Sequence, residues 1–412
     1  MKVSLKGWVY WSIGALAYIA AVTHRTSFGV ASVDAVARFH IGPVLLSLFP
    51  VLQLIVYALA QIPVGIALDH FGSRRLIATG ALVMAGGQTL LAFAGSYPVA
   101  LLGRGIVGLG DAMTFISVLR VVASWFPKER VAMMTQIVGL LGWFGQLISG
   151  QPFSFLLRNE SWSFAFATLS ITSLIMSICA YSLIRDADLH LISGEWPSIQ
   201  DVKEKIKTVW HMPAARLGFW SHFTTPFSSQ TFALIWGMPF MVNALGYSKT
   251  QASNFISTNP LFGMIAGLLI GYFTPKMQAH LQRMTYLLTI YIIFSWSILL
   301  LWPGKPGWFV VLFMIAAISA GGPGSLIGIA HARRHIPREH MGTADGLINS
   351  AGFYAALLNM LLIGAVLQIC GDYSLASFRW AFLVQFPLWL IGLRQIRKYV
   401  RLTGEKIGRA HV

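Results

Sequence analysis

Apolar residues run along this chain in blocks of about twenty or more, separated by short polar breaks. Twelve blocks can be marked, at 8–30, 43–68, 76–95, 98–121, 131–157, 162–184, 213–243, 252–273, 283–302, 307–331, 342–368 and 375–395. Each approaches or exceeds the length needed to cross about 30 Å of hydrocarbon. No water satisfies backbone groups at that depth, so each block must be a helix, whereas barrel strands would need only about 10 alternating residues. The pattern predicts an all-α membrane protein of twelve transmembrane helices.

A weak internal repeat arranges the twelve as two pseudo-symmetric six-helix bundles. A shift of 210 residues lays Phe126-Pro127-Lys128-Glu129-Arg130 on Ile336-Pro337-Arg338-Glu339-His340, and Gly142 on Gly352. The expected organisation is an N-terminal bundle over 1–184, a cytoplasmic linker over 185–212, a C-terminal bundle over 213–395 and a cytoplasmic tail over 396–412. Repeats of this kind carry a substrate site at mid-depth between the halves. In the linker, Ile199, Val202, Ile206, Val209 and Trp210 fall at helical spacing against Asp201, Lys203, Glu204, Lys205 and Lys207. It reads either as an amphipathic helix on the inner membrane surface or as a plain tether.

Composition changes the picture in one respect. Hydrophobic residues make up 56% and charged residues 11% of the chain, so a bilayer is most of its solvent. The net charge of +16 would suggest nucleic acid in a soluble protein, yet the 30 Lys and Arg do not form a patch. With a cytoplasmic N-terminus, Arg38, Arg158, Lys249, Lys305 and Arg379 fall outside and Arg25, Arg104 and Arg120 fall within or at the ends of spans. The others all lie inside, which is the positive-inside asymmetry. We therefore expect a multi-pass plasma (cell) membrane protein with both termini cytoplasmic, an uncleaved first span and no nucleic-acid partner. Cys179 and Cys370 have no metal-ligand spacing and no reason to meet. A nucleotide-binding glycine loop is lacking, so a monomer driven by a gradient, with no cofactor and no metal, is expected.

The break between the second and third blocks reads Gly65-Ile-Ala-Leu-Asp69-His-Phe-Gly72-Ser-Arg74-Arg75. Gly65 would let a neighbouring helix approach, Asp69 can accept from Arg74, Arg75 or a helix N-terminus, and Gly72 permits a tight turn. The stretch resembles the signature loop of the major facilitator superfamily, except that His70 stands where a fixed positive charge is usual. That resemblance implies a secondary transporter working by alternating access, with Gly65, Asp69, Gly72, Arg74 and Arg75 as its conformational latch. The second half has only a poor copy, Gly271 to Arg283, without the acidic residue.

A charge at mid-helix costs about 2.5 to 3.5 kcal/mol on insertion scales, so charged groups inside the spans are the best clues to chemistry. Arg104 lies about 9 Å from the outer end of the fourth span and Arg25, beside His24, about 8 Å from that of the first. Two guanidiniums at one depth would grip a carboxylate or phosphate bidentately. Two other readings stay open: Arg104 tying helices together through backbone carbonyls, and Arg25 snorkelling to the interface. Asp111, about 20 Å from the outer end of its helix, is a candidate for binding and releasing a transported proton, or a permanent counter-ion to Arg104 or Arg120.

His222, near mid-depth in the seventh span, is followed by Thr224, Thr225, Ser228, Ser229 and Gln230, which can bind substrate or bond neighbouring helices. Asn254, Asn259, Asn349, Tyr354 and Asn359 carry the same ambiguity. Gly321-Gly322-Pro323-Gly324 is either a bending point for a gate or static close packing.

Arg104-x-x-x-Gly108 resembles the superfamily's fourth-helix motif, in which the arginine is associated with proton coupling. Arg25, Gln61-Ile62-Pro63-x-Gly65 and Trp125-Phe126-Pro127-x-x-Arg130 together resemble its anion:cation symporter branch. The implied substrate is a small organic anion, a carboxylate or phosphate ester, moved with protons. Arg25, Arg104 and His222 would bind it and Asp111 would carry the proton. The Gly-Pro step of drug antiporters is absent from the fifth span, and the second span lacks the arginine of nitrate porters. The alternatives are a transporter of an uncharged or cationic solute, such as a sugar or drug, and a polytopic membrane enzyme. Only His331, His335 and His340 beside Glu339 offer a cluster for the enzyme.

Overall fold

The structure, a computed structural model, describes residues 4–186, 199–274, 276–277, 280–337 and 340–403. Glu339, residues 187–198 of the linker, and the end of the tail (404–412) lie outside the described residues, as do residues 1–3. The described chain is helical, with no strand among the described residues, and separates into two compact units, Met1–Trp196 and Pro197–Val412.

The first unit holds six transmembrane helices. They are α1 (Leu5–Val30), α2 (43–71), α3 (73–93), α4 (Tyr97–Trp125), α5 (Glu129–Asn159) and α6 (Trp162–Leu183). The hydrogen-bonded run from Pro43 to Phe93 is broken at Gly72, whose φ of 77° ends one helix and starts the next. Its apolar seams are Tyr10, Ile13, Ile77, Val118, Val122 and Val138 towards one end, and Ala21, Ala81, Met84 and Val107 at mid-length.

The first helix ends at Val30, as expected, and after Ala31 a separate short helix, Ser32–Phe39, carries Asp34 and Arg38. Arg38 is accommodated there by donating to the Ala94 carbonyl at 3.1 Å and by lying 5.7 Å from the centroid of the Trp162 ring.

The second unit holds α7 (213–244), α8 (Lys249–Phe273), α9 (Leu281–Leu301), α10 (Trp308–Ala332), α11 (Met341–Cys370) and α12 (Leu375–Leu402). Eleven of the twelve are long and apolar enough to cross a membrane. The exception, α7, begins as Pro213–Thr224, breaks at Thr225-Pro226, and continues through Phe227–Thr231 and two π-helical turns, Phe232–Trp236 and Phe240–Ala244. Proline without an N–H accounts for the break, and the Thr224 carbonyl beside it accepts from Trp389 Nε1 at 3.0 Å. In α10, Gly321 and Gly324 are tightly packed, the first on the Thr225 backbone and the second on Leu288.

The linker helix, Ile199–His211, has Asp201, Lys203, Glu204, Lys205 and Lys207 exposed. Its last turn docks on protein: Val209 is buried among Ala214, Ala215, Ala332 and Ile348, and Arg216 Nε donates to the Trp210 carbonyl at 2.5 Å. α12 also runs seven residues past the expected boundary at 395, to Leu402, as a helix with one buried and one basic face.

Candidate functional site

The first unit buries a network of charge around α1. Arg25 donates from Nε to Asp111 Oδ2 at 2.7 Å and from Nη2 to Asp111 Oδ1 at 2.8 Å, a two-pronged ion pair between α1 and α4. The guanidinium also lies 5.0 Å from the centroid of the Tyr57 ring. Asp111 is 1% exposed and Arg25 is 18% exposed, so the carboxylate is sealed while the cation keeps an accessible edge. The partner of Asp111 is therefore Arg25 rather than Arg104 or Arg120.

Arg104, 0% exposed, is held by protein acceptors. Its Nη1 donates to the His24 carbonyl at 3.1 Å and its Nη2 to the Arg25 carbonyl at 3.0 Å and to Gln53 Oε1. The guanidinium also lies 5.1 Å from the centroid of the Phe28 ring. Gly108, one turn on, is what lets α4 come this close to α2, since a Cβ there would strike the Gln53 carbonyl. Arg104 thus fixes the stretch of α1 that carries Arg25, and it does not meet Asp111.

His24, beside Arg25, faces the other way. Gln88 Nε2 donates to its Nδ1 at 2.9 Å, and a ring that accepts there donates from Nε2, here to Ser173 Oγ at 2.6 Å. Thr23 donates to the Gly145 carbonyl at 3.0 Å, and Thr26 and Ser149 share a hydrogen bond of 2.7 Å. Four successive residues of α1 therefore bind α3, α4, α5 and α6.

At one end of the same unit, the signature loop is engaged by two residues outside it. Asp69 pairs with Arg120 of α4, rather than with Arg74 or Arg75. Asp186, just after α6, accepts from the backbone N–H of Ser73 at 2.7 Å and of Arg74 at 3.2 Å. Arg74 also donates to the Tyr181 carbonyl at 2.6 Å and stacks on that ring. Gly72 is required twice over, by its positive φ and because a Cβ would lie 2.5 Å from Asp186 Oδ2. Gly65 has open space where its Cβ would be, and Arg75 is exposed. Sequence reasoning missed Asp186. The signal was available, since Ser73 opens a helix and its first N–H groups need an acceptor.

His222 belongs to the second unit, where its Nδ1 lies 3.1 Å from the Ser325 carbonyl. Nearby polar groups of α7 bond to neighbouring helices: Asn259 donates to Ser229 Oγ at 3.0 Å and Asn359 to Thr231 Oγ1 at 2.9 Å. His331 is buried and Nδ1 of His335 lies 3.4 Å from the His331 carbonyl. Among the described residues no group of three or more His, Cys, Asp or Glu could hold a metal ion.

Twelve membrane-crossing elements in two six-helix units, with a buried arginine-carboxylate pair in the first, define the class: a polytopic transporter. Residues 14–359 match the Major Facilitator Superfamily, and the chain belongs to that family. It is 25% identical over 347 residues to the probable galactarate/D-glucarate transporter GudP of Bacillus subtilis (strain 168), covering 77% of this chain and 76% of the relative. It is 24% identical over 334 residues to the hexuronate transporter of Escherichia coli (strain K12), covering 76% of this chain and 77% of the relative. Among solved structures, a bacterial homologue of the human lysosomal transporter Spinster superposes with a TM-score of 0.75 at 14% identity, over 99% of this chain and 100% of that one. This last likeness concerns the fold alone.

Proposed function

We propose that the chain moves a small organic anion of the sugar-acid type together with protons, by alternating access across the plasma membrane. The observation that carries this reading is the Arg25–Asp111 pair, a partly accessible guanidinium held by a sealed carboxylate. A substrate carboxylate can replace Asp111 on both prongs of Arg25, and a proton on Asp111 removes the charge that would otherwise be left unpaired. Anion and proton then enter together, because each makes room for the other. Arg104 acts on this exchange as a positioning residue, through the carbonyls of His24 and Arg25. The names of two relatives, for galactarate/D-glucarate and for hexuronate, support a carboxylate as the cargo.

In the same reading Gly65, Asp69, Gly72, Arg74 and Arg75 are the latch that stabilises one state. Arg120 and Asp186 are added to it as the partners that hold the loop to its own unit.

A bound ligand raises stability by mass action, about 2.7 kcal/mol at a hundred times its dissociation constant. Detergent-purified protein should melt at higher temperature with D-glucarate, galactarate or glucuronate and not with glucose. The shift should vanish in Arg25→Gln. Stabilisation by glucose equal to that by glucuronate, or a carboxylate shift that persists in Arg25→Gln, would contradict the assignment.

A further inference from the structure

In the second unit, the last two to three turns of α12 present a basic stripe. Arg394, Arg397, Lys398 and Arg401 recur at intervals of three and four residues, so they share one face of the helix, and with Leu402 they line an open recess of about 600 Å³. All four are exposed, and none forms an ion pair within 4 Å among the described residues. The opposite face is fixed in place. Ile396, Tyr399 and Val400 are buried against Leu217, and Tyr286 of α9 donates to the Leu393 carbonyl at 3.0 Å. The cations thus stand on a packed helix, not on a loose tail.

The same face continues towards the middle of the helix as Leu383, Leu390 and Ile391, which are 41%, 64% and 48% exposed. An exposed apolar stripe that turns basic within one helix has the profile of a phospholipid, acyl chains along the leucines and phosphate among the arginines. A guanidinium binds a phosphate oxygen pair bidentately, and three of the four groups are arginines. A free phosphate would use the basic part alone and would leave the adjoining apolar stripe without a purpose.

We propose that the end of α12 binds the phosphate headgroup of an anionic phospholipid in the leaflet where that helix ends. The contact is structural or regulatory in kind and uses none of the residues of the proposed cargo site.

The test uses the full chain in detergent, titrated with phosphatidylglycerol or phosphatidylcholine and examined by native mass spectrometry. Phosphatidylglycerol should be retained selectively. A basic residue near an anionic headgroup contributes about a fivefold change in retention, so Arg397→Gln with Arg401→Gln should lower it about 25-fold. Both side chains are exposed, and an unchanged melting temperature checks that the variant folds. A control removing Lys203, Lys205 and Lys207 by Gln substitution should leave retention as it was. Equal retention of phosphatidylcholine, an equal loss in the lysine control, or displacement of the lipid by millimolar inorganic phosphate at matched ionic strength would each overturn the proposal.

Discussion

In the first unit α1 meets α4 through charge, with Arg25 on Asp111 and Arg104 on two carbonyls of α1. In the second, α7 meets its neighbours mainly through neutral groups, Asn359 on Thr231, Trp296 on Ser228 at 2.8 Å and Trp389 on the Thr224 carbonyl, and its Arg216 donates to the uncharged Tyr399 hydroxyl at 3.2 Å. The 210-residue shift that aligns the two halves lays Arg25, Arg104 and Asp111 on Ile235, Met314 and Gly321, all three buried. The second unit therefore places no charge at the three positions that correspond to the ion pair and its brace. Neutral hydrogen bonds between membrane helices average about 0.6 kcal/mol each, whereas inserting a charge costs about 2.5 to 3.5 kcal/mol. Charge at these three positions in one of two similar units is an expense that packing there does not require, which favours a role in handling a charged cargo.

The contrast can be broken most directly at the ion pair. Arg25→Leu leaves a sealed carboxylate unpartnered and should lower the unfolding free energy by about 3 to 5 kcal/mol, whereas Arg25→Leu with Asp111→Leu should recover most of it while transport stays lost. Denaturation in detergent measures both, and a double variant no more stable than the single one would show that the pair is not formed. Arg104→Lys should cost about 2 to 3 kcal/mol, because one ammonium cannot serve three separate acceptors. The same assay reads it, and full stability in that variant would remove Arg104 as the brace of α1.

Smaller effects are expected away from the charges. Gly72→Ala places a side chain at φ 77° against Asp186 and should cost about 1 to 2 kcal/mol, seen as an earlier unfolding midpoint. In the neutral unit, His222→Asn should cost within about 1 kcal/mol, the worth of an ordinary hydrogen bond. If it proved more damaging than Arg25→Leu, the contrast between the units would fail.

Most of the fold was legible, because hydrocarbon forces long apolar blocks into helices and leaves little choice. What escaped was local. The run from 213 to 243 reads as a single span, so the pattern does not show that Pro226 breaks it, and Asp34 and Arg38 resemble a loop although a short helix carries them. The charged residues themselves stood out by their cost in hydrocarbon. Their pairing did not, since it depends on where α4 crosses α1 and α2, a geometry set by the missing side chain of Gly108. Asp186 was hidden for a simpler reason: one acid after a span looks like any polar residue at a helix end.

The central claim is that Arg25 and Asp111 are the point at which anion and proton exchange. The measurement closest to it is uptake of radiolabelled D-glucarate into liposomes containing the Asp111→Asn protein, with and without a pH gradient, alongside exchange of internal for external substrate. The wild-type protein should accumulate substrate when the outside is acidic. The variant should still exchange substrate but accumulate none on the gradient. Accumulation that persists in Asp111→Asn would contradict the account.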